Sequence, residues 1–383
     1  CQLFSMFATD MYTPALPVLA KQLATSDSLA NLTLMVFFIF SMVGMVLFGP
    51  ISDRVGRKPV LHLGCLLFTL ASLGCAFAPN IVILIVARLF QALAAGMIAV
   101  VGTALVRDCF DGKMRENVLL WIQAAFVLGP IIAPLIGGQV LIFFSWRATF
   151  VILAILGVFG MLMTLFFQES LLPEQRMSGT LLHSFIGLAR VTRRKPFMLF
   201  MLSATVFTAL PFLAYLMTAP YVYENFFGFT PQGYSYFFGA TAGLSVLGIL
   251  FYKLISRRMS PRRLTTLLIT LSAVDGLGII LFGALSPFVF FALILVFYIA
   301  VTMVRPYSMN ILLGMCSEDV GSASSVMNFC YSILGIMGSA IALPFTRGYI
   351  ELVGALVVVG ALASASLWIY LLRSKIIVKG IKE

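Results

Sequence analysis

The chain is a succession of apolar stretches of roughly 20 residues or more, joined by short polar connections. A helix of about 20 apolar residues spans the hydrocarbon core of a bilayer. The stretches lack the strict polar–apolar alternation of barrel strands, and they therefore predict helices. The predicted spans are 1–23, 30–50, 60–78, 81–106, 117–141, 148–167, 197–222, 233–255, 263–284, 287–312, 321–346 and 350–373.

The composition supports a membrane environment. Hydrophobic residues make up 61% of the 383 residues and charged residues only 10%, whereas a soluble domain carries about 25% charged residues. A chain this apolar needs lipid as its solvent, and in lipid only helices and closed barrels satisfy their backbone hydrogen bonds. The sequence therefore predicts an all-α membrane protein.

The basic residues fall mostly on one side of the predicted bundle. Of the 25 Lys and Arg residues, 20 lie in connections on one side and three in connections on the other. Because loops rich in Lys and Arg stay in the cytoplasm, we expect both termini to be cytoplasmic. The net charge of +11 thus indicates topology, and no nucleic-acid partner is expected.

We predict no signal peptide and no metal or redox site from the sequence. Cys1 opens an apolar stretch that has neither the basic flank nor the cleavage site of a signal peptide, and we interpret it as the start of a trimmed chain. The six cysteines fit no zinc or redox spacing. His62 and His183 lie in unlike settings. We expect no metal ion and no cofactor.

A polar connection divides the chain into two halves of six helices. The predicted halves are 1–167 and 197–383, the second ending in a basic tail, and 168–196 is a cytoplasmic linker. Residues 51–54 (Ile-Ser-Asp-Arg) have a faint echo at 255–258 (Ile-Ser-Arg-Arg), each between the second and third spans of its half. Parallel repeats of six helices are typical of transporters that rock between two states.

Residues 49–59 read Gly-Pro-Ile-Ser-Asp-Arg-Val-Gly-Arg-Lys-Pro, which resembles the signature loop of the major facilitator superfamily. Gly56 permits a tight backbone reversal, and Asp53 can pair with the neighbouring basic residues or cap a helix. The loop predicts a charged latch that holds the cytoplasmic face shut in one state; the alternative is a plain basic anchor. The latch residues are Gly49, Asp53, Arg54, Gly56, Arg57 and Lys58.

Residues 129–138 of the fifth span read Gly-Pro-Ile-Ile-Ala-Pro-Leu-Ile-Gly-Gly and resemble the motif of the drug/proton antiporter branch of that superfamily. Prolines four residues apart kink a helix, and glycines let a neighbouring helix approach closely. The motif predicts a seal and pivot; the alternative is an ordinary kinked span, and Ala125 stands where the family usually has glycine. The residues concerned are Gly129, Pro130, Pro134, Gly137 and Gly138.

Residues 87–92 (Ala-Arg-Leu-Phe-Gln-Ala) resemble the Arg-x-x-Gln-Gly motif of the same superfamily, with Ala92 where glycine is usual. Three further segments resemble the bicyclomycin/chloramphenicol resistance (Bcr/CflA) group of bacterial multidrug exporters. They are residues 10–17 (Asp-Met-Tyr-Thr-Pro-Ala-Leu-Pro), 145–147 (Ser-Trp-Arg) and 219–223 (Ala-Pro-Tyr-Val-Tyr). The resemblance covers nearly the whole chain, and it implies a twelve-helix bundle of two pseudo-symmetric halves in a bacterial inner membrane.

Asp10 and Arg88 are charges within predicted spans, where a lone charge costs at least ~3 kcal/mol and usually marks function. The family's helix arrangement implies that the two side chains meet across the cavity. Desolvation favours the neutral form of Asp10 and Arg88 favours its ionised form, so Asp10 is predicted to carry the coupling proton. The alternative is a permanent ion pair that ties helices together. Gln2 stands where some relatives have a second acidic residue.

Two other charges lie within spans of the second half. We expect Asp275 to lie near an edge of the bundle or to be paired locally. We expect Arg305 to extend its side chain to the membrane interface. The substrate cavity is predicted to contain Tyr12, Gln91, Tyr215, Tyr221, Tyr236, Asn328 and Tyr331.

An aromatic cavity with one carboxylate suits bulky, lipophilic, neutral or cationic compounds. The sequence thus predicts proton-coupled export of lipophilic drugs by a monomer surrounded by lipid, with the drug and protons as its partners. The alternative within the same class is an exporter of one endogenous metabolite, such as a siderophore or nucleoside. A membrane enzyme would need a cluster of catalytic side chains at a membrane face, and the two separated histidines argue against one.

Overall fold

The computed structural model describes residues 3–171, 191–256, 258–315 and 320–374, together with 376, 378 and 381. Most of these residues are helical. The helices are α1 (Leu3–Asp10), α2 (Leu16–Gln22), α3 (Asp27–Val55), α4 (Arg57–Ala76), α5 (Ile81–Cys109), α6 (Gly112–Phe143), α7 (Trp146–Phe166), α8 (Lys195–Tyr221), α9 (Pro231–Ser245), α10 (Leu247–Ile255), α11 (Pro261–Phe282), α12 (Pro287–Gly314), α13 (Val320–Ala342) and α14 (Tyr349–Arg373).

Local sequence sets many of these boundaries. Ser26 and Asn80 cap α3 and α5, since each side chain accepts a hydrogen bond from a backbone N–H three residues later. Pro231, Pro261 and Pro287 begin α9, α11 and α12, at the helix position where proline's missing N–H costs nothing.

Within the described residues the helices make twelve passes, with α1 and α2 sharing the first and α9 and α10 the eighth. Ten of these passes are long and apolar enough to cross a membrane by length and composition, and an eleventh, α6, contributes the shorter apolar segment Leu128–Phe143. The predicted fold class, an all-α membrane protein with twelve spans in two pseudo-symmetric halves, is confirmed.

The first pass differs from the predicted span because its helix is interrupted. Helix α1 ends at Asp10, a short 3₁₀ turn covers Thr13–Ala15, and α2 begins at Leu16. Pro14 and Pro17 each lack the N–H that would bond to the carbonyl four residues earlier. The backbone N–H of Tyr12 bonds to the Thr9 carbonyl at 3.2 Å, so the Ala8 carbonyl is available to another donor.

The described chain clusters into two compact units. Unit 1 comprises Cys1–Thr180 and Tyr223–Ala240, and unit 2 comprises Leu181–Val222 and Thr241–Glu383. The segment 223–240 therefore belongs with the first six passes, although it follows the seventh. Residues 172–190 of the predicted linker lie outside the described residues, and its role as the boundary between two halves stays a prediction.

The same helix pairs form inside each unit. In unit 1, α3 packs on α5, α4 on α7, and α1 on α6. The corresponding passes of unit 2 pair in the same way, α10 with α12, α11 with α14, and α8 with α13. This repeated pairing is the pseudo-symmetry that the faint sequence echo indicates.

Glycine stands at the same crossing in both units. A Cβ on Gly137 of α6 would meet the backbone carbonyl of Met11, and a Cβ on Gly338 of α13 would meet the backbone carbonyl of Leu210 in α8. Each pair is the first and fifth pass of its half. At these two crossings the helix backbones are too close for any side chain.

Candidate functional site

The interrupted first pass presents Asp10 in the interior of unit 1. Asp10 is 7% exposed and is the last residue of α1. Its carboxylate accepts a hydrogen bond from the Thr9 hydroxyl at 3.0 Å. The Thr13 hydroxyl donates to the Asp10 backbone carbonyl at 2.9 Å, which replaces the bond that Pro14 cannot make. The break is therefore closed by hydroxyl groups next to the carboxyl.

Arg88 of α5 binds the same broken segment from the other side. It is fully buried, and one guanidinium nitrogen donates to the Ala8 carbonyl at 3.0 Å and to Gln91 Oε1 at 2.8 Å. The Ala8 carbonyl is free to accept because the helical bond to Tyr12 is lost at the break. Arg88 thus stabilises the irregular backbone directly before Asp10.

Three aromatic rings surround the Arg88 guanidinium. Its Cζ lies 4.7 Å from the ring centre of Tyr12, 4.5 Å from Phe37 and 5.6 Å from Phe150. Among the described residues, its Nε and second terminal nitrogen have no hydrogen-bond partner, and the three rings contribute to the stabilisation of the charge. Arg88 is a buried cation in an aromatic cage.

The Asp10 and Arg88 side chains do not meet as the sequence predicted, and the alternative of a permanent ion pair is also wrong for this structure. Both residues are described, and no ion pair joins them; the Arg88 donors that are used go to Ala8 and Gln91. The reason is the helix break, which offers an unpaired carbonyl to the guanidinium, while Thr9 occupies the carboxylate. The two groups are instead linked through two residues of backbone.

Two residues that contact Arg88, Gln91 and Tyr12, form further hydrogen bonds to polar side chains. Gln91 donates from Nε2 to the Ser72 hydroxyl at 2.7 Å, and the Tyr12 hydroxyl bonds to Thr33 at 3.0 Å. Of these, Tyr12 and Gln91 were predicted to contact substrate, and both are fully buried. Ser72 and Thr33 carry no sequence signal of their own, since a hydroxyl in an apolar helix commonly bonds to its own backbone.

The signature loop forms a charge cluster around Arg57. The guanidinium pairs with Asp53 at 2.6 Å and with Asp108 at 2.8 Å, and it donates to the Ser52 hydroxyl at 2.6 Å. Arg57 is 1% exposed, and Gly56 has φ +116°, which lets the chain turn sharply between α3 and α4. Asp53 therefore pairs with a basic residue of the loop; the latch role itself stays a prediction.

Glu169 completes this cluster from the connection after α7. Its carboxylate accepts the backbone N–H groups of Arg57 at 2.8 Å and of Lys58 at 3.1 Å, which are unsatisfied donors at the start of α4. Asp108 and Glu169 were missed from the sequence. Their only signal is their place at the ends of the fourth and sixth spans, in connections that carry both acidic and basic residues.

The other predicted latch residues, Gly49, Arg54 and Lys58, lie outside the cluster of ion pairs around the Arg57 side chain. A Cβ on Gly49 would lie 3.3 Å from a methyl group of Val100, so Gly49 serves close packing of α3 on α5. Lys58 donates from Nζ to the Leu165 carbonyl at 3.2 Å, and Arg54 is exposed.

The antiporter-like motif lies inside α6 and packs on the broken first pass. Pro130 and Pro134 are both within the helix. A Cβ on Gly129 would lie 2.5 Å from the end of the Met6 side chain, and one on Gly138 would lie 2.6 Å from the Ser235 hydroxyl. With Gly137 against Met11, the motif provides close contacts on two sides of α6.

The remaining predicted substrate residues are divided between the two units. Tyr215 is fully buried, with its ring 5.5 Å from Tyr298, and Tyr221 lies 5.4 Å from Tyr349. Both rings pack against aromatic side chains of unit 2, and their assignment to a substrate cavity stays a prediction. Tyr236 belongs to unit 1, is 56% exposed and accepts a hydrogen bond from Gln232 at 2.6 Å.

Asn328 and Tyr331 line a cavity of about 40 Å³ formed by residues of α8, α12 and α13 in unit 2. Arg305 lies in its wall, with its Cζ 5.7 Å from the ring centre of Tyr331. The Arg305 side chain is exposed, and its extension to the membrane interface stays a prediction.

Asp275 is 5% exposed, and one of its carboxylate oxygens has no hydrogen-bond partner among the described residues. It lies on α11 beside Gly276, whose Cβ position would meet the Gly354 carbonyl of α14 at 3.0 Å. The carboxyl is therefore buried near a close helix crossing, and its expected place near an edge of the bundle stays a prediction.

Comparison of the sequence with known protein families gives a match over most of the chain. The sequence model described as Major Facilitator Superfamily matches residues 1–339. An uncharacterized MFS-type transporter, YdgK of Bacillus subtilis (strain 168), is 29% identical over 341 residues, which cover 85% of this chain and 82% of YdgK.

Relatives with a described activity match over a shorter length. Multidrug resistance protein MdtL of Vibrio parahaemolyticus is 31% identical over 249 residues, and the match spans 63% of this chain and 60% of MdtL. MdtL of Shigella dysenteriae is 29% identical over 240 residues, 62% of this chain and 60% of that protein.

Solved structures share the fold at low identity. A D-xylose–proton symporter has a TM-score of 0.74 at 14% identity, covering 100% of this chain and 98% of the symporter. A bacterial homologue of the human lysosomal transporter Spinster, in an inward-facing and occupied conformation, has a TM-score of 0.73 at 14% identity, covering 97% and 94%. These likenesses establish the arrangement of helices and nothing about the substrate.

Proposed function

Because this chain belongs to the Major Facilitator Superfamily, and is therefore a multi-pass membrane transporter, we propose that it exports lipophilic drugs across a bacterial inner membrane in exchange for protons. In this proposal both termini are cytoplasmic and the working unit is a monomer in lipid. The observation that carries it is the buried Asp10 carboxyl at the interruption of the first pass, beside the caged Arg88.

Discontinuous helices in transporters place backbone and side-chain groups at binding sites near the bilayer midplane. Asp10 lies at such an interruption, and its carboxylate has a hydroxyl as its partner and no cation. It can therefore gain or lose a proton without breaking an ion pair. The change of one charge next to Arg88 is the event that we propose to drive the cycle.

Arg88 serves this role through its fixed position. It binds the Ala8 carbonyl and the aromatic cage, so its charge remains close to the broken segment whether Asp10 carries a proton or not. A permanent ion pair, the structural alternative, would instead hold both charges in one arrangement.

Two further features support drug export. The MdtL relatives are named as multidrug resistance proteins, and α6 carries the glycine and proline pattern of the antiporter branch against the broken pass. In the proposed cycle the Arg57 cluster holds the cytoplasmic side of unit 1 in one state. The α6 contacts seal the pathway while the carboxyl changes its proton.

Transport by everted membrane vesicles tests the proposal. Vesicles that contain the protein should accumulate a lipophilic drug when a proton gradient is applied, and a protonophore should abolish the accumulation. Asp10→Asn should lose uphill transport and retain membrane insertion. Asp275→Asn, which alters a second buried carboxyl away from the break, is the matched control and should retain transport.

Accumulation that survives the protonophore would exclude proton coupling. Uphill transport by Asp10→Asn would exclude Asp10 as the coupling group and would favour a structural role for it.

A further inference from the structure

The cavity that contains Arg305, called here the Arg305 cavity, is lined by residues of unit 2. Arg305 and Asn328 are exposed, so the cavity is open. Thr205 and Thr208 of α8 contribute to one wall, about 15–20 Å along that helix from its start at 1.5 Å per residue. Arg305 and Ser308 of α12 form a second wall, and α13 forms a third. The cavity is thus bounded by interior turns of three helices.

Arg305 is the single ionisable cation among the described lining residues, and no carboxylate faces it. Its guanidinium contacts the face of the Tyr331 ring and has no ion pair or side-chain hydrogen bond to any described residue. A guanidinium presents five N–H donors in a plane and has no acceptor. The side chain therefore offers an unused, charged donor surface to the cavity.

The other polar side chains of the Arg305 cavity differ in whether their donors already make hydrogen bonds. The hydroxyls of Thr205, Thr208 and Ser308 already donate to backbone carbonyls of their own helices, at 2.7, 2.9 and 3.3 Å. Asn328 and Tyr331 carry N–H and O–H donors with no described partner among side chains. The free donors of the cavity are thus those of Arg305, Asn328 and Tyr331, an arrangement suited to an oxyanion.

The charge and the size of the cavity narrow the ligand. One cation matches a singly charged anion, and planar guanidinium groups bind carboxylates through two parallel hydrogen bonds. A buried water needs about 10–15 Å³ of such space, so a volume of about 40 Å³ admits a carboxylate-sized group and little more. Two methionines in the lining offer adaptable apolar contact to the adjoining part of a ligand.

We propose that the Arg305 cavity binds the carboxylate group of a lipophilic organic acid, and that compounds carrying such a group are among the transported substrates. The binding assignment stands on the cavity alone, and the assignment of the ligand as a transported substrate rests on the proposed export function. The class extends the predicted substrates beyond neutral and cationic compounds.

Binding to the purified protein in detergent tests the site without any gradient. The probes are 2-naphthoate and 2-naphthamide, which share one ring system and differ in charge. The wild type should bind 2-naphthoate at least about tenfold more tightly than the amide, the ratio that one charge-assisted hydrogen bond supplies. Arg305→Gln should weaken naphthoate binding by at least about tenfold and leave amide binding within about twofold.

Two variants separate charge recognition from general damage. Arg305→Lys keeps the charge and loses the paired donors, so it should lie between the wild type and Arg305→Gln in naphthoate affinity. Arg347→Gln removes an exposed arginine of unit 2 outside the cavity and should bind both probes as the wild type does. If Arg305→Gln fails to fold, the wild-type ratio and Arg305→Lys decide the question.

Equal affinity of the wild type for both probes would overturn the assignment. So would naphthoate affinity unchanged in Arg305→Gln, or the absence of naphthoate binding at millimolar concentration. Failure of proton-driven export with intact, Arg305-dependent binding would instead count against the proposed function and leave the binding site standing.

Discussion

Gly137 of α6 lies directly against the backbone carbonyl of Met11, at the point where the first pass loses its helical hydrogen bonds. The two residues join the antiporter-like motif to the segment that carries Asp10. A side chain at position 137 would occupy the space of the carbonyl oxygen, and neither backbone can move without disturbing the break.

Gly137→Ala is therefore expected to reduce transport by at least about tenfold and to destabilise unit 1 by about 1–3 kcal/mol, as overpacking does. Gly239→Ala is the matched control. Gly239 lies on α9 and also faces α6, but its Cβ would lie 3.4 Å from the nearest atom, the Ile131 carbonyl oxygen, which is an ordinary contact distance. Initial transport rates and thermal unfolding in detergent measure both effects. Normal transport by Gly137→Ala would show that this contact is dispensable.

Gly138→Ala is expected to cost less than Gly137→Ala. Its Cβ would first meet the Ser235 hydroxyl at 2.6 Å, which can rotate, and then Gln232 Cα at 3.0 Å. Gly138→Leu should abolish transport, since no movement of one hydroxyl makes room for it. The same two measurements rank the three variants, and a smaller loss in Gly137→Ala than in Gly138→Ala would contradict this ranking.

Arg88→Lys is expected to lose most transport although it keeps the charge. An ammonium cannot lie flat among three rings and also donate to both Ala8 and Gln91, so the break loses a support worth about 1–3 kcal/mol. Arg147→Lys is the matched control: Arg147 also combines a backbone carbonyl, at Ala78, with an aromatic ring, at Trp146, but lies away from the break. An equal loss of transport rate in Arg88→Lys and Arg147→Lys would show that Arg88 contributes only to packing.

The Arg57 cluster should depend more on Asp108 than on Asp53. The Asp108 side chain is 13% exposed and the Asp53 side chain 38% exposed, so water screens the second pair more strongly. Asp108→Asn should lower the free energy of unfolding by about 1–3 kcal/mol, and Asp53→Asn by under about 1 kcal/mol. Thermal and denaturant unfolding in detergent measure the two; the reverse order would show that exposure does not set their strength.

If one proton is exchanged per drug molecule, the charge of the drug determines the net charge that crosses the membrane in each cycle. A neutral drug then moves with one net inward charge, so voltage contributes ~2.3 kcal/mol per 100 mV and each pH unit about 1.4 kcal/mol. A monovalent cation exchanged for one proton moves no net charge and should respond to the pH gradient alone. Vesicles with voltage and pH gradient clamped separately measure both cases; voltage-driven export of the cation would exclude this stoichiometry.

The sequence predicted the passes well because each is an apolar run of membrane length, and length alone is a strong constraint in lipid. The break at Met11–Ala15 escaped that reasoning. Pro14 and Pro17 indicate only that some helical hydrogen bonds are missing. Which donors replace those bonds depends on Arg88, 80 residues away in the chain.

The contacts of isolated charges were the least predictable. Arg305 lies near the end of its apolar run, and the sequence did not indicate that its guanidinium would lie against the Tyr331 ring of α13. Glu169 and Asp108 contact Arg57 only because three separate chain segments converge. Such contacts depend on tertiary packing, and no local pattern in a single sequence encodes them.

The segment 223–240 packs as part of unit 1 while its two ends are joined to unit 2. A protein divided by cleavage in the linker would therefore separate Gly138 from Ser235, its close neighbour. The amino-terminal fragment would be left with an unfilled place on α6, and the carboxy-terminal fragment would carry the missing piece. Reassembly of two such fragments would require the second to lend this piece to the first, as in an exchange of elements between separately folded chains.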